Sequence, residues 1–284
     1  SQAVDMFLVD REIRGCTDAT VQYYKDMLWA FQLYAGETLD VQTIIPQYLY
    51  KLKQRDLAAY SIHAHYRAIR AFVRFTEENE WTPHIKLPKI KTPDKEIVPM
   101  SLSQVRRLLD HYRGDAFIQT RNRAIIATFY DTGIRLGELT KLDLPDVDYR
   151  AGFLFVNGKG NKDRYVPFSK KCRKFLWAYQ KASVEKRGDE QPFFINRLGT
   201  RLQIDGLKQV FKSLSTQIEM PGIRISAHTL RHSFALSYLE NRGDLQSLQK
   251  IMGHSSPEIT LKYGRMVKGH MKQQHDRYSP GDRI

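Results

Sequence analysis

The segment HTLRH at residues 228–232 places two histidines and an arginine directly before the apolar run SFALSYL. On a helix, His228 and Arg231 stand three residues apart and project from the same face, so a base and a cation converge there. Structural histidines are the commoner case, and His232 is expected to pack or hydrogen-bond so as to hold the other two side chains. A zinc site is disfavoured because Arg231 would repel the metal, and we expect no metal here.

The sequence LQSLQKIMGHSSPEITLKYG follows at residues 245–264. Gly253 predicts the end of one helix, and Ser256 with Pro257 predicts the start of the next. His254 therefore lies between two helices, and Tyr263 lies on the second of them.

Upstream of this segment, the pattern predicts helices around a small sheet. SLSQVRRLLDHY (101–112) and TRNRAIIATFYDTG (120–133) have helical character, and a short helix is predicted to restart in IRLGELTKL (134–142). GFLFV (152–156) and RYVPF (164–168) are rich in aromatic and β-branched residues and flank the turn NGKGNKD, which predicts a β-hairpin. We expect a mainly α fold with a small antiparallel β-sheet.

The charge balance points to a polyanionic partner. The 284 residues include 45 Lys and Arg but 31 Asp and Glu, which gives a formal net charge of +14. Residues 1–97 hold 13 basic and 13 acidic side chains, so the whole excess, 32 against 18, lies after them. Such a charge fits a solvated surface, but it fits nucleic acid better.

Composition also bears on the protein's location. With 42% hydrophobic and 27% charged residues, the chain is typical of a globular protein, and it has no run of about 18 apolar residues that could span a membrane. The N-terminal SQAVDMFLVD lacks a basic segment followed by an apolar one, so we expect no secretory signal. Two distant cysteines, Cys16 and Cys172, fit a reducing cytoplasm. We expect a soluble, cytoplasmic, nucleoid-associated protein.

A domain boundary is predicted at WTPHIKLPKIKTPDKEIVPMS (81–101), where four prolines and several lysines interrupt every helical period. We place a small helical DNA-binding domain at 1–84, a linker at 85–99 and a second domain at 100–284. The helix around Ile62, Tyr66, Ile69 and Val73 carries basic residues beside that apolar stripe, a geometry suited to DNA phosphates or a groove. An ordinary amphipathic helix would show the same pattern. The predicted DNA contacts are Lys51, Lys53, Arg67, Arg70, Arg74, Lys162 and Arg164.

Five separated motifs together resemble those of the tyrosine recombinases, or phage-type integrases, in family order and spacing. TGIRLGEL is similar to the first arginine motif and NGKGNKDRYVP to the hairpin lysine motif. HTLRH is similar to the His-x-x-Arg motif, and MGHSSPEITLKY to the second histidine with the nucleophile. The motifs cover about 130 residues, while the N-terminal domain resembles the family's helical core-binding domain only in pattern. Lys262 and Gly264 around Tyr263 depart from the commoner neighbours of the nucleophile.

The resemblance implies that the hydroxyl of Tyr263 attacks a DNA phosphodiester and forms a 3′-phosphotyrosyl link with a free 5′-hydroxyl. Because one ester replaces another, no ATP and no cofactor are needed. Arg135 and Arg231 are expected to hold the charge that develops on the phosphoryl oxygens.

The remaining roles follow from the same resemblance. His228 is expected to accept the tyrosine proton or bind the phosphate, and His254 to add a further donor. Lys159 is expected to protonate the departing 5′-oxygen, with Lys162 as the alternative. Glu138, three residues after Arg135, is expected to orient that arginine; otherwise it forms an ordinary surface ion pair.

The compact two-domain organisation is similar to that of chromosome-dimer resolvases and of some transposon resolvases or integrases, and the sequence does not choose among these roles. The resemblance implies a double-stranded DNA site and a homo-tetramer on two such sites, in which the C-terminal segment 264–284 docks on a neighbour. No membrane partner is expected. The rival predictions are DNA relaxation like that of a type IB topoisomerase and a catalytically silent DNA-binding protein.

Overall fold

A computed structural model of the chain describes residues 2–36, 41–87, 90, 98–158, 163–187, 191–254, 256–264, 275–277 and 279, together with the backbone at 265 and 266. The chain divides into two compact units, Ser1–Glu96 and Ile97–Ile284. None of the helices in this part of the chain is long and apolar enough to cross a lipid bilayer.

The described residues of the first unit form a bundle of four helices: α1 (Gln2–Ile13), α2 (Asp18–Ala35), α3 (Val41–Gln54) and α4 (Ala59–Glu78). Each helix turns an apolar face inward, and Phe7, Leu28, Ile45 and Ile69 are fully buried at the centre. The apolar stripe that the sequence places on α4 is buried along its whole length. Burial of this shared core stabilises the four helices against one another.

The second unit is also mainly helical. Its helices are α5 (Leu102–His111), α6 (Phe117–Thr132), α7 (Leu136–Lys141), α8 (Lys170–Arg187), α9 (Ile204–Gln217), α10 (Ala227–Glu240), α11 (Leu245–Met252) and α12 (Pro257–Met266). Helix α6 is central, since it packs against α5, α8 and α10. Its residues Ile125, Ile126 and Phe129 are fully buried.

A three-stranded antiparallel sheet accompanies these helices, in the order β1 (Val147–Asp148), β2 (Phe153–Val156) and β3 (Arg164–Pro167). The register pairs Leu154 with Val166, and both side chains are buried in the core. The predicted fold class, mainly α with a small antiparallel sheet, is confirmed. The residues that join β2 to β3 include 159–162, which lie outside the described part of the chain.

The ends of two helices determine where the histidine motifs lie. Ser226 caps the N-terminus of α10 by accepting a hydrogen bond from the amide of Thr229, at 3.1 Å. Helix α11 ends at Gly253, whose φ of 62° lies in the left-handed region that glycine adopts without a steric penalty. The chain can therefore leave α11 sharply, and His254 follows directly.

Candidate active site

Arg231 lies at the centre of the predicted site. It projects from α10, and the residue is 8% exposed. Its Nη2 donates to the carbonyl oxygen of Met252 at 2.8 Å, and its Nη1 donates to the carbonyl oxygen of Gly133. Burial, with a further contribution from Arg135, lowers the pKa of Arg231 to about 10. The guanidinium therefore stays charged at neutral pH.

Three arginines from different elements converge on the C-terminus of α11. Arg164 Nε donates to the carbonyl of Ile251 at 2.8 Å, and Arg135 Nη2 donates to that of Gly253 at 2.5 Å. With the bond from Arg231 to Met252, three successive carbonyls accept one arginine each. The last carbonyls of a helix lack partners within the helix and carry its negative dipole end, so they suit cations. We call Arg135, Arg164 and Arg231 the arginine cluster.

Glu138 is the buried counter-ion of this cluster. Its Oε1 accepts from Arg135 Nη1 at 2.8 Å and from Arg164 Nη1 at 2.9 Å. Its Oε2 accepts from Arg164 Nη2 at 3.0 Å and from the backbone amide of Arg135 at 2.7 Å. Burial favours the neutral acid, but the bonds from Arg164 and Arg135 outweigh it, so the pKa of Glu138 lies below its ordinary value. Glu138 thus bonds to Arg135 from a buried position, and the pair is not an ordinary surface ion pair.

The structure places Arg164 differently from the DNA contact predicted for it. Its side chain is 12% exposed, and it bonds to both carboxylate oxygens of Glu138 and to the carbonyl of Ile251. A Cβ atom on Gly253 would lie 2.8 Å from the Arg164 guanidinium carbon, so the two residues pack in direct contact. Arg164 therefore holds β3 against α7 and α11, and its donors face the protein.

His254 lies between Arg231 and helix α12. Its Nε2 is 3.0 Å from Arg231 Nη2, and its Nδ1 is 2.8 Å from the Oγ1 atom of Thr260. Because a guanidinium only donates, Nε2 is the acceptor, and the proton of the neutral ring lies on Nδ1 and is donated to Thr260. Burial, followed by the positive charges of the arginine cluster, lowers the pKa of His254 to about 4. The ring is neutral at pH 7.

Tyr263 faces the interior on α12, at 9% exposure, within an apolar cluster that includes Phe234, Leu248 and Met252. Its ring lies 5.0 Å from that of His232 and is parallel to that of His254, with centroids 6.2 Å apart. Burial raises the pKa of Tyr263, and Arg231 acts in the opposite direction.

The two histidines of HTLRH occupy different environments. His232 is buried, and it contacts the nucleophile candidate Tyr263 through its ring. His228 is exposed near the N-terminus of α10. Partial burial, then Arg231 and Arg224, lower the pKa of His228, which favours the neutral, proton-accepting form.

The structure thus brings together Arg135, Glu138, Arg164, Arg231, His232, His254 and Tyr263. Lys159 and Lys162 lie outside the described residues. Sequence reasoning did not single out Thr260, although its position three residues before Tyr263 on one helix was a usable signal. In the described part of the chain, no group of three or more His, Cys, Asp or Glu side chains could hold a metal ion.

The basic residues predicted to contact DNA from the first unit are exposed: Lys51, Lys53, Arg67, Arg70 and Arg74. Arg67, Arg70 and Arg74 share one groove with Arg11 of α1 and with Arg14, which follows that helix. Arg74 also pairs with Glu78 at 2.9 Å on the surface of α4. This groove is a strongly positive surface within the first unit.

The family model described as the phage integrase family matches residues 99–270, which include every motif discussed above. The chain belongs to the phage integrase family. Among curated family members, the tyrosine recombinase XerD of Oceanobacillus iheyensis is 32% identical over 97% of both chains. The tyrosine recombinase XerC of Lacticaseibacillus casei is 31% identical over 86% of this chain and 83% of that protein. This member of the phage integrase family is a tyrosine-type site-specific DNA recombinase.

Solved structures support the fold assignment within the phage integrase family. The Tn1549 transposon integrase in complex with transposon right end DNA matches with a TM-score of 0.77 at 17% identity, over 97% of this chain and 98% of that one. The XerH site-specific recombinase bound to its difH substrate matches with a TM-score of 0.71 at 19% identity, over 92% of this chain and 80% of that one.

Proposed function

We propose that this recombinase cleaves and rejoins double-stranded DNA with Tyr263 as nucleophile and with Arg135 and Arg231 as the phosphate clamp. The observation that carries the proposal is the position of Tyr263. Its ring lies parallel to that of His254, which is hydrogen-bonded to Arg231. A nucleophile, a neutral imidazole and a permanent cation thus occupy one end of α11. The relatives named above are recombinases or integrases, which favours this function over topoisomerase-like relaxation or silent DNA binding.

The reaction requires a bond exchange at phosphorus. The Tyr263 oxygen forms a bond to the scissile phosphorus as the bond to the 5′-oxygen breaks, and the tyrosine gives up its proton as the 5′-oxygen gains one. Three of the five N–H groups of Arg231 donate to described residues, so two remain for a phosphate. Arg135 is 41% exposed in its side chain and can reach a ligand from solvent. Together they oppose the charge that develops on the phosphoryl oxygens.

Proton transfer and further hydrogen bonding to the phosphate are assigned to two histidines and a lysine. His228, exposed beside Arg231 and with a lowered pKa, accepts the tyrosine proton or binds the phosphate. His254 supplies a further hydrogen bond to the phosphate. Lys159, on the connection between β2 and β3, protonates the departing 5′-oxygen, and Lys162 is the alternative.

Substitution of the nucleophile tests the proposal. Tyr263→Phe removes only the hydroxyl, so specific DNA binding should persist while covalent protein–DNA adducts on a nicked suicide substrate disappear. Adducts that persist at the wild-type rate would place the nucleophile elsewhere, with Tyr278 as the next candidate.

A sulfur-substituted DNA strand tests the general acid. Lys159→Ala should cleave ordinary DNA about 10² to 10⁴-fold more slowly, because an alkoxide is a poor leaving group. A bridging 5′-sulfur leaves as a thiolate without that proton, so this variant should regain most of its rate. Arg231→Ala should regain much less. Rescue of Lys162→Ala in place of Lys159→Ala would reverse the assignment.

The assembly on DNA is proposed from the resemblance. The domains at 1–84 and 100–284, joined by the linker at 85–99, would clasp one DNA site, with the basic groove of the first unit on the phosphates. Four protomers would join two sites, and the segment 264–284 would dock on a neighbour. A DNA substrate also supports the predicted cytoplasmic, nucleoid-associated location. Truncation after Arg265 should impair recombination more than single-site binding, and unchanged recombination would rule out the docking role.

A further inference from the structure

Thr260 is a buried polar residue on the same helix as the nucleophile. It is 2% exposed, and Tyr263, one turn later, is 9% exposed. Their neighbours Ile259 and Leu261 are 45% and 46% exposed, so the buried face of α12 is the one that carries Thr260 and Tyr263. A hydroxyl on a buried face requires a hydrogen-bond partner. The partner here is His254.

The bond between Thr260 and His254 links α12 to the arginine cluster. The Thr260 oxygen is 2.8 Å from His254 Nδ1, while Nε2 of the same ring is 3.0 Å from Arg231 Nη2. Both ring nitrogens are therefore engaged, and the orientation of the ring is fixed from two sides. Because Tyr263 lies on the helix that carries Thr260, the same bond fixes the position of His254 relative to the nucleophile.

The present tautomer of His254 cannot donate from Nε2 to a phosphate. Nε2 accepts from Arg231, and a phosphate oxygen also only accepts. Protonation of the whole ring is disfavoured by burial and by the nearby positive charges of Arg231, Arg135 and Arg164. The remaining route is a change of tautomer, in which Nδ1 releases its proton to solvent and Nε2 takes one up, with no change in net charge.

We propose that Thr260 is a positioning residue of the recombination reaction, whose hydroxyl holds His254 in place and supports both of its tautomers. In the free protein the hydroxyl oxygen accepts from Nδ1–H. When a phosphate binds, Arg231 Nη2–H leaves Nε2 and donates to the phosphate instead. The hydroxyl then rotates and donates to the bare Nδ1, so Nε2–H can donate to a phosphoryl oxygen. Only a side chain that both donates and accepts can do this, and threonine and serine qualify. The inference rests on the proposed roles of Tyr263 and His254.

The test compares Thr260→Val, which keeps the shape and removes the hydroxyl, with Thr260→Ser, which keeps the hydroxyl. Thr120→Val is the matched control, because Thr120 is 3% exposed and its hydroxyl bonds to carbonyls of its own helical turn. Adduct formation on a nicked site should slow by about 10- to 100-fold in Thr260→Val, as for other residues that orient a functional histidine. The serine and control variants should remain within about threefold of wild type.

Nitrogen-15 NMR of the histidine rings reports the protonation and hydrogen bonding of each ring nitrogen. These would not change if Thr260 contributed only to packing. The His254 signal, assigned by its loss in His254→Gln, should show the Nδ1–H tautomer in the free wild type and in Thr260→Ser. In Thr260→Val the same tautomer should persist, because Arg231 still donates to Nε2, but Nδ1–H loses its acceptor and its proton should exchange faster with water. Adducts at the wild-type rate in a folded Thr260→Val protein, or a serine variant as slow as the valine variant, would overturn the role of the hydroxyl. If the wild-type protein formed no covalent link between Tyr263 and DNA, the proposed function itself would be contradicted.

Discussion

Two arginines, one from each unit of this recombinase, occupy opposite environments. In the second unit, Arg231 is 8% exposed and its guanidinium is bonded to main-chain carbonyls. In the first unit, the side chain of Arg74 on α4 is 78% exposed and pairs with Glu78 at the surface. A buried, fixed cation can stabilise charge that develops in a transition state, whereas an exposed one attracts phosphates largely without regard to their exact position. Substitutions in the second unit should therefore change the rate, and those on α4 should change the affinity.

The largest difference is expected for Arg231→Ala. The loss of fixed donors beside the phosphate should slow adduct formation by about 10²- to 10³-fold, while binding of the specific site remains. Single-turnover cleavage of a nicked site at saturating protein measures the rate, and a gel-shift titration measures the affinity. A rate loss below tenfold would contradict the contrast between the two units.

The second-largest difference between the two units is expected in the stability lost when an ion pair is broken. Arg164→Met leaves the buried carboxylate of Glu138 with Arg135 as its ionic partner, and we expect a loss of about 3 kcal/mol in the free energy of unfolding. Arg74→Met breaks the exposed pair with Glu78 and should cost under about 1 kcal/mol. Urea denaturation of both variants measures the difference. Equal losses would mean that burial does not distinguish the two pairs.

The positive charges close to His254 should make the stability of the protein depend on pH. The pKa of His254 is about 4 in the folded protein, and an unfolded histidine has a pKa of about 6.5. Between these values the unfolded state binds more protons, so stability is highest above about pH 6.5 and falls as the pH drops toward 4. His254→Gln should make this slope shallower when unfolding is measured at pH 4.5 to 7. An unchanged slope would mean that the cluster does not hold the ring neutral.

The smallest effect is expected on α4. Arg70 is exposed in the basic groove, so Arg70→Ala should weaken DNA binding modestly and reduce the slope of log affinity against log salt by about 0.9. Cleavage at saturating DNA should remain at the wild-type rate. If Arg70→Ala binds DNA normally but cleaves it slowly, α4 would affect the rate and not the affinity, which contradicts the comparison of the two units.

Much of the fold was predictable because its signals are local. The apolar stripe from Ile62 to Val73 predicts α4, and the two aromatic-rich segments around residues 157–163 predict the β2–β3 hairpin, which is confirmed. Gly253 predicts the end of α11 because it supplies a left-handed cap. The way α6 packs against α5, α8 and α10 could not be predicted, because it depends on contacts between residues far apart in sequence.

The candidate site, like the fold, was predictable only where its signals are local in sequence. The motif residues were recognisable from spacing, but the placement of Arg164 was not, since its exposure depends on how β3 packs against α7 and α11. Charge alone suggested a DNA contact, whereas the structure gives that side chain a buried carboxylate and a helix end as partners. Thr260 was overlooked as well: its spacing places it on the same helical face as Tyr263, but only the structure shows that His254 is its partner.

The three carbonyls at the end of α11 imply a trade-off between stability and activity. Arg135, Arg164 and Arg231 are brought together when the chain folds, before any DNA is present, so their desolvation and mutual repulsion lower the stability of the free enzyme. Apolar side chains that filled the same space would give a more stable fold. The DNA complex should melt at a higher temperature than its count of protein–DNA hydrogen bonds alone suggests, because the phosphate also relieves this repulsion.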